Sequence, residues 1–372
     1  MGPDPPPKLS TRVKNFVIDN FLVLGFCCAL IVGLSAPVAG STLSGWSVNG
    51  WSLVQTIAVI VIFVISGATL RTEEIKHALN DGRKALVFGL VSILGVTPLI
   101  GFIHLNIPYS PVQFRYGLAL FCSVPTTLSS GVTLVRNAKG NVALALMLTV
   151  STNLLGVFTV PFYFNAIVRT GSRTLVVSAG AGDMGKQAID LLVKLLCTIL
   201  VPICAGKLAR ELIPWVAEQA TKHKQGLTLT GNFCLIIVVW MSISTSAKQL
   251  LATDAGMVFI VIFAGIMTHV VFLALNYAAT GALRISGPER VAVVIMSSQK
   301  TLPVAMTIIS YLDESVFGAP GLIAIPCIIC HVTQLFMDAP LATHIAKRFD
   351  ALEAEEKARA EAAAEAKDAP PL

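Results

Sequence analysis

Ten stretches of about twenty apolar residues recur along the chain, at 16–39, 51–70, 84–105, 115–136, 141–168, 187–206, 228–247, 255–280, 288–311 and 319–345. A helix rising 1.5 Å per residue needs about 20 such residues to cross a bilayer. Lipid offers no partner to a backbone amide or carbonyl, so a lone segment crosses as a helix. The pattern predicts an all-α polytopic membrane protein with ten transmembrane helices. Composition agrees: 55% of the 372 residues are apolar and 13% are charged. Mean hydropathy is +0.76. A soluble enzyme, a nucleic-acid partner and a disordered chain are excluded. The expected surroundings are membrane lipid.

Positive charge sets the topology. With the N-terminus inside, seventeen Lys and Arg fall in inside regions and five in outside regions. That bias follows the positive-inside rule and predicts both termini on the cytosolic (or stromal) side. The expected organisation is an N-terminal segment at 1–15, a ten-helix domain at 16–345 and a charged soluble tail at 346–372. Within the tail, the Ala/Glu/Lys-rich stretch 351–367 reads as a solvated helix. The start of the chain lacks the pattern of a cleavable signal, so the first span reads as an uncleaved insertion signal. Protein partners are unknown at this level.

The eight cysteines all lie in apolar runs and read as small buried hydrophobes. Cys327-Ile-Ile-Cys330-His331 matches the C-x-x-C-H pattern of haem attachment, but in mid-span it reads as two core thiols. No nucleophile elbow, P-loop or H-E-x-x-H is present, so no catalytic residue, enzyme activity or cofactor is expected.

Ten spans divide into two halves of five, about 16–168 and 187–345. An odd number per half inverts the second half relative to the first, and inverted repeats place a binding site where one helix in each half is interrupted. The fourth span of each half carries such a signal. One holds Pro125, Thr126, Thr127, Ser129, Ser130 and Gly131; the other holds Ser297, Ser298, Gln299, Lys300, Thr301 and Pro303. Pro125 and Pro303 remove helical donors, and Gly131 adds freedom. Freed carbonyls and hydroxyls suit a small cation, while half-helix N-termini suit an anion. Thr126, Thr127, Lys300 and Thr301 are therefore candidate substrate ligands. Asn153 joins them, four residues beyond Thr149 on one helix face. Lys300 is costly in mid-membrane and must meet a cavity, a substrate anion or a partner; alternatively its charge replaces that of a coupling cation. Asp338 is the acidic side chain at similar depth. His269, His331, Asn276 and Gln334 are further polar positions within spans.

The stretches Ile65–Glu74, Pro125–Leu134, Gly140–Ala145, Ser298–Val304 and Ile325–Cys327, with His331 and Gln334, resemble the bile acid:sodium symporter superfamily in its SBF-like branch. The resemblance covers about residues 16–345 and all ten spans. It implies a core domain of helices three to five and eight to ten, a panel domain of the others, and helices four and nine broken and crossing. It implies symport of a small organic anion or metabolite with sodium by alternating access. By position, the implied sodium ligands are Ser129, Ser130, Thr149 and Gln299, with no other metal. The chain departs at Ile295, where relatives carry a carboxylate, and at Ala145, where they carry a hydroxyl. Sodium-independent carriage (proton-coupled or uniport) and regulation of cellular calcium entry are the alternatives that the branch offers. The implied location is a plastid envelope or a plasma membrane.

Overall fold

The apolar segments form helices that bend or break where Pro and Gly interrupt them. The computed structural model describes residues 13–14, 16–18, 20–48, 51–70, 82–128, 130–171, 189–285, 287–312 and 314–368. The first elements are α1 (Phe21–Ser35), α2 (Pro37–Ser44), a short hairpin of β1 (Ser47–Val48) and β2 (Trp51–Ser52), and α3 (Leu53–Thr69). Next come α4 (Arg83–His104), α5 (Gln113–Ser123), α6 (Ser130–Asn137), α7 (Val142–Gly171) and α8 (Ile189–Leu212). The second half continues with α9 (Pro214–Lys222), α10 (Lys224–Thr245), α11 (Ala247–Leu251) and α12 (Ala255–Ala282). It ends with α13 (Gly287–Ser298), α14 (Leu302–Ser310), α15 (Glu314–Phe317) and α16 (Pro320–Asp368).

Among the described residues, 7 helices are long and apolar enough to cross a membrane, counting α13 and α14 as one, and the α1–α2 pair makes up to 8. The protein is therefore a multi-pass membrane protein. α3 is a shorter apolar helix, and α5 and α6 are two pieces of one apolar stretch. The first apolar run differs from its sequence reading as one span over 16–39. Its helix stops at Ser35, and α2 leaves at 97°. The cause is Pro37, whose ring pushes the preceding Ala36 out of the α region, to φ −134 and ψ 63. At the other end, the expected boundary near 346 has no backbone counterpart. α16 runs unbroken from Pro320 to Asp368, because the Ala, Glu and Lys residues that follow the span are strong helix formers.

The helices pack in two groups. α3 lies against α8 and α10, and α10 also lies against α1. In the other group α5 lies against α4, α7 and α16, while α12 lies against α13 and α16. α14 and α16 touch members of the first group and join the two. Large apolar side chains such as Phe158, Phe162, Phe259 and Phe263 are exposed on the outer faces, as lipid contact demands. By contrast, the α13–α14 segment is buried from Ala292 to Ile309 except at Pro303.

Small residues let helices of the first group approach backbone to backbone, as is common in membranes. A Cβ built on Gly67 of α3 would lie 2.1 Å from Ile203 O, and one on Gly206 of α8 would lie 2.2 Å from Val64 O. Gly206→Val should thus force α3 and α8 apart and cost about 1–3 kcal/mol, seen as a lower melting temperature in detergent. Gly226→Ala, which meets nothing within 4 Å, should leave the melt unchanged or slightly raised.

Candidate functional site at two broken helices

α5 ends at Ser123 because Pro125 follows. Val124 is held extended at φ −73 and ψ 155, as a residue before proline prefers. Residues 124–128 are non-helical, and α6 resumes at Ser130. Thr127 Oγ1 accepts the Gly131 amide at 2.9 Å, which satisfies one free donor in the first turn of α6. The second break is Gln299–Thr301, after which Pro303 takes a place in the first turn of α14, where a missing amide costs nothing.

The two breaks meet. The Thr301 amide donates to Pro125 O at 2.9 Å, and Thr126 Oγ1 donates to Met296 O at 2.5 Å. Gln334 from α16 clamps the second break: its Oε1 accepts the Lys300 amide at 2.9 Å and its Nε2 donates to Lys300 O at 2.7 Å. Asn153 Nδ2 from α7 donates to Thr126 O at 3.1 Å and to Thr149 O at 2.8 Å. Backbone groups that lipid would leave unpaired thus find partners at the crossing.

Two buried charges lie at the second break, and they do not pair with each other. Asp338 accepts from Gln299 Nε2 at 2.5 Å and from His269 Nε2 at 2.8 Å. Lys300 is fully buried, and its ammonium turns to α4 and the first break. It donates to Thr97 Oγ1 at 2.7 Å, Val124 O at 3.0 Å and Ile93 O at 3.2 Å, and lies 5.7 Å from the Phe272 ring centre.

A cavity of about 690 Å³ runs between the two helix groups to this crossing. That volume is typical of small-molecule sites. Of the residues singled out in the sequence, Thr127, Ser130, Thr149, Asn153, Thr301, Pro303 and His331 line it. Thr126, Gln299 and Lys300 do not; they are fully buried in the contacts just described. Pro125 and Gly131 shape the first break, and Gly131 sits where a Cβ would lie 2.8 Å from Met296 Sδ. Ser129 lies outside the described residues. Among the described residues, the charged side chains that line the cavity are Arg136 and Lys224, both cationic.

Two participants escape a reading by polarity alone. Thr97 receives the Lys300 ammonium, and its only sequence signal is Thr97-Pro98 inside an apolar run. Arg136 counts in the sequence as a loop charge, yet it lines the cavity. Asn153 Oδ1 and Gln299 Oε1 are buried oxygens with no hydrogen-bond partner among the described residues. Among those residues no cluster of His, Cys, Asp and Glu is arranged for a metal ion. Cys122, Cys327 and Cys330 are buried free thiols, and Cys327 Sγ donates to Gly117 O at 3.3 Å, whereas Cys27, Cys28, Cys197 and Cys204, expected to be buried, lie exposed on outer helix faces.

The model of the SBF-like CPA transporter family matches residues 19–347, from α1 into α16 and across both breaks. The chain belongs to this family. SBF-like proteins are transporters, not enzymes. Among related proteins, the probable sodium/metabolite cotransporter BASS4, chloroplastic, of Oryza sativa subsp. japonica is 35% identical over 341 residues, 89% of this chain and 76% of its own. Its namesake from Arabidopsis thaliana is 34% identical over 337 residues, 89% of this chain and 73% of its own. Sodium/bile acid cotransporter 7 of Xenopus tropicalis is 21% identical over 326 residues, 85% of this chain and 90% of its own.

In this SBF-like chain, Gln334→Leu should strand the buried Lys300 amide and leave the Lys300 carbonyl only its 3.3 Å contact to His331 Nδ1. The loss should be about 1–3 kcal/mol, read as a lower melting temperature, and Gln334→Glu should not restore it, because a carboxylate has no donor for the Lys300 carbonyl and buries a charge.

Proposed function

We propose that the protein is a secondary transporter of a small organic anion that works by alternating access, with sodium as the coupling ion. The observation that carries this reading is the cavity. It reaches both helix breaks, it is lined there by hydroxyls and an amide, and among the described residues its charged lining side chains are Arg136 and Lys224. A site lined in this way favours an anion, and its low-dielectric walls strengthen that preference. The names of the relatives support a metabolite as cargo and sodium as its companion. The chloroplastic BASS4 relatives favour a plastid envelope over a plasma membrane.

In this reading the ten segments form two inverted repeats, 16–168 and 187–345, with 1–15 as an N-terminal segment and 346–372 as a soluble tail. Each break then falls in the fourth segment of its half. Helices α1, α3, α8 and α10 form the panel, and the remaining long helices form the core. The end of the cavity lined by Arg136 and Lys224 then faces the inner side, where positive charge belongs. The cation ligands are Ser130, Thr149 and Asn153, with Ser129 and Gln299 from the same breaks. Asn153 Oδ1 favours this assignment, because it is a buried oxygen left without a partner beside Thr149. Bound sodium supplies positive charge that offsets the anion's desolvation. The substrate ligands are Thr127, Thr301 and the half-helix amides, with Arg136 drawing the anion in. Thr126 and Lys300 hold the breaks in register from behind.

The test is uptake by proteoliposomes holding the full chain, with a panel of labelled small carboxylates, sulfates and phosphates, in sodium or choline gradients. Saturable uptake that sodium stimulates is expected. Asn153→Ala should raise the sodium concentration for half-maximal uptake about tenfold, equivalent to about 1.4 kcal/mol for one lost oxygen ligand. Arg136→Gln, at an exposed position, should raise KM about threefold with a steeper loss at low salt. Thr149→Val should abolish sodium stimulation. Absence of uptake for every anion would overturn the transport reading, and equal uptake in choline would overturn the coupling.

A further inference from the structure

The Lys300 ammonium sits in a nest that the backbone builds before any lysine is considered. In α4 the run Ser92–Val96 is a π-turn, so the Thr97 amide bonds to Ser92 O rather than to Ile93 O. The next residue, Pro98, has no amide to offer. Ile93 O is thus left without the backbone donor that an α- or π-helix would supply. Val124 O is freed by the first break, where Pro125 ends α5. Between them stands Thr97 Oγ1, which donates its own proton back to Ile93 O at 3.0 Å or Ser92 O at 3.1 Å and so presents a lone pair. Three oxygens from two different elements point at one spot, and Lys300 Nζ fills it at 2.7, 3.0 and 3.2 Å. An ammonium carries three donors, and all three are used.

The chemistry of this nest is that of a cation site. Its oxygens are neutral, two carbonyls and one hydroxyl. The neighbouring carboxylate, Asp338, is taken by Gln299 and His269. Unwound carbonyls and hydroxyls strip the hydration shell from monovalent ions inside membrane proteins. A divalent ion would require carboxylates. A void of about 10 Å³, room for about one water, already lies beside Lys300 against Cys122 and Phe272.

We propose that the nest of Ile93 O, Thr97 Oγ1 and Val124 O is a monovalent-cation site, and that its occupant is the chain's own Lys300 ammonium. The protein then carries its own ammonium at the crossing of its broken helices and needs no free ion in the nest. Shortening the side chain should open the nest to an alkali cation. The inference concerns binding within the fold and does not depend on what the protein transports.

The experiment is thermal unfolding of the full purified chain in detergent, with NaCl titrated against choline chloride at constant ionic strength. Lys300→Ala should melt below the unmodified protein in choline and recover by about 3 °C as NaCl saturates the vacated nest. Any sodium response of the unmodified protein should be smaller by that increment. Thr97→Val in the Lys300→Ala background should remove the increment, and Lys300→Met, which refills the space with an uncharged chain, should never show it. If Lys300→Ala is recovered in neither salt, Lys300→Gln takes its place, with its amide oxygen as a further ligand. An increment equal to that of the unmodified protein, one that survives Thr97→Val, or none at all would overturn the proposal. So would failure of both variants to fold in NaCl, since a filled nest should restore them. Uptake assays do not enter this test, so transport and nest stand or fall separately.

Discussion

A backbone group without a partner in the middle of a membrane costs several kcal/mol. The centre of this protein is arranged around that cost. Two helices are interrupted at the same depth, and each interruption frees amides and carbonyls that no lipid can satisfy. They are satisfied by one another and by side chains sent in from neighbouring helices. The Thr301 amide reaches Pro125 O, Thr126 reaches Met296 O, and Gln334 takes both the amide and the carbonyl of Lys300. The contacts tie α5, α13 and α16 into one unit, and Asn153 adds α7. The polar residues within the spans are thus structural currency for the breaks first, and only their unspent atoms remain for a ligand.

That division explains which side chains face the cavity. Thr126, Gln299 and Lys300 are committed to the interior of the crossing, whereas Thr127, Thr149, Asn153 and Thr301 keep a face toward open space. The two buried charges are also kept apart. Asp338 is held by an amide and an imidazole, and Lys300 by carbonyls and a hydroxyl. Replacing one member of a buried charged network strands the others, so such residues are fixed by their neighbours rather than by a single partner.

Much of this was legible in the residues. Runs of about twenty apolar residues announce helices because lipid permits little else. Pro125 with Gly131, and Pro303 after the Ser/Gln/Lys run, announce interruptions because proline lacks a donor. What was not legible is direction. Lys300, Gln299 and Thr301 are consecutive, yet one points to α4, one to Asp338 and one to the cavity, since an unwound backbone has no fixed periodicity to assign faces. The pairing of Asp338 with His269 joins residues 69 positions apart and needs the packing of α12 on α16. The bend at Ala36 had a local cause in Pro37, but the length of the apolar run masked it. The continuation of α16 was hidden by polarity: a change from apolar to charged residues marks the membrane surface, not the end of a helix.

That continuation has a mechanical meaning. Beyond Pro340, the last proline within α16, 28 residues remain helical, and at 1.5 Å each they make a rod of about 42 Å. Its root is the helix that carries Gln334 and Asp338, and Lys139, in the turn after α6, pairs with Asp350 along its length. A rod fixed at one end magnifies rotation. A tilt of about 10° at the crossing would sweep the far end of such a rod through roughly 7 Å. A small rearrangement at the crossing would therefore reach the far end of the helix enlarged several-fold.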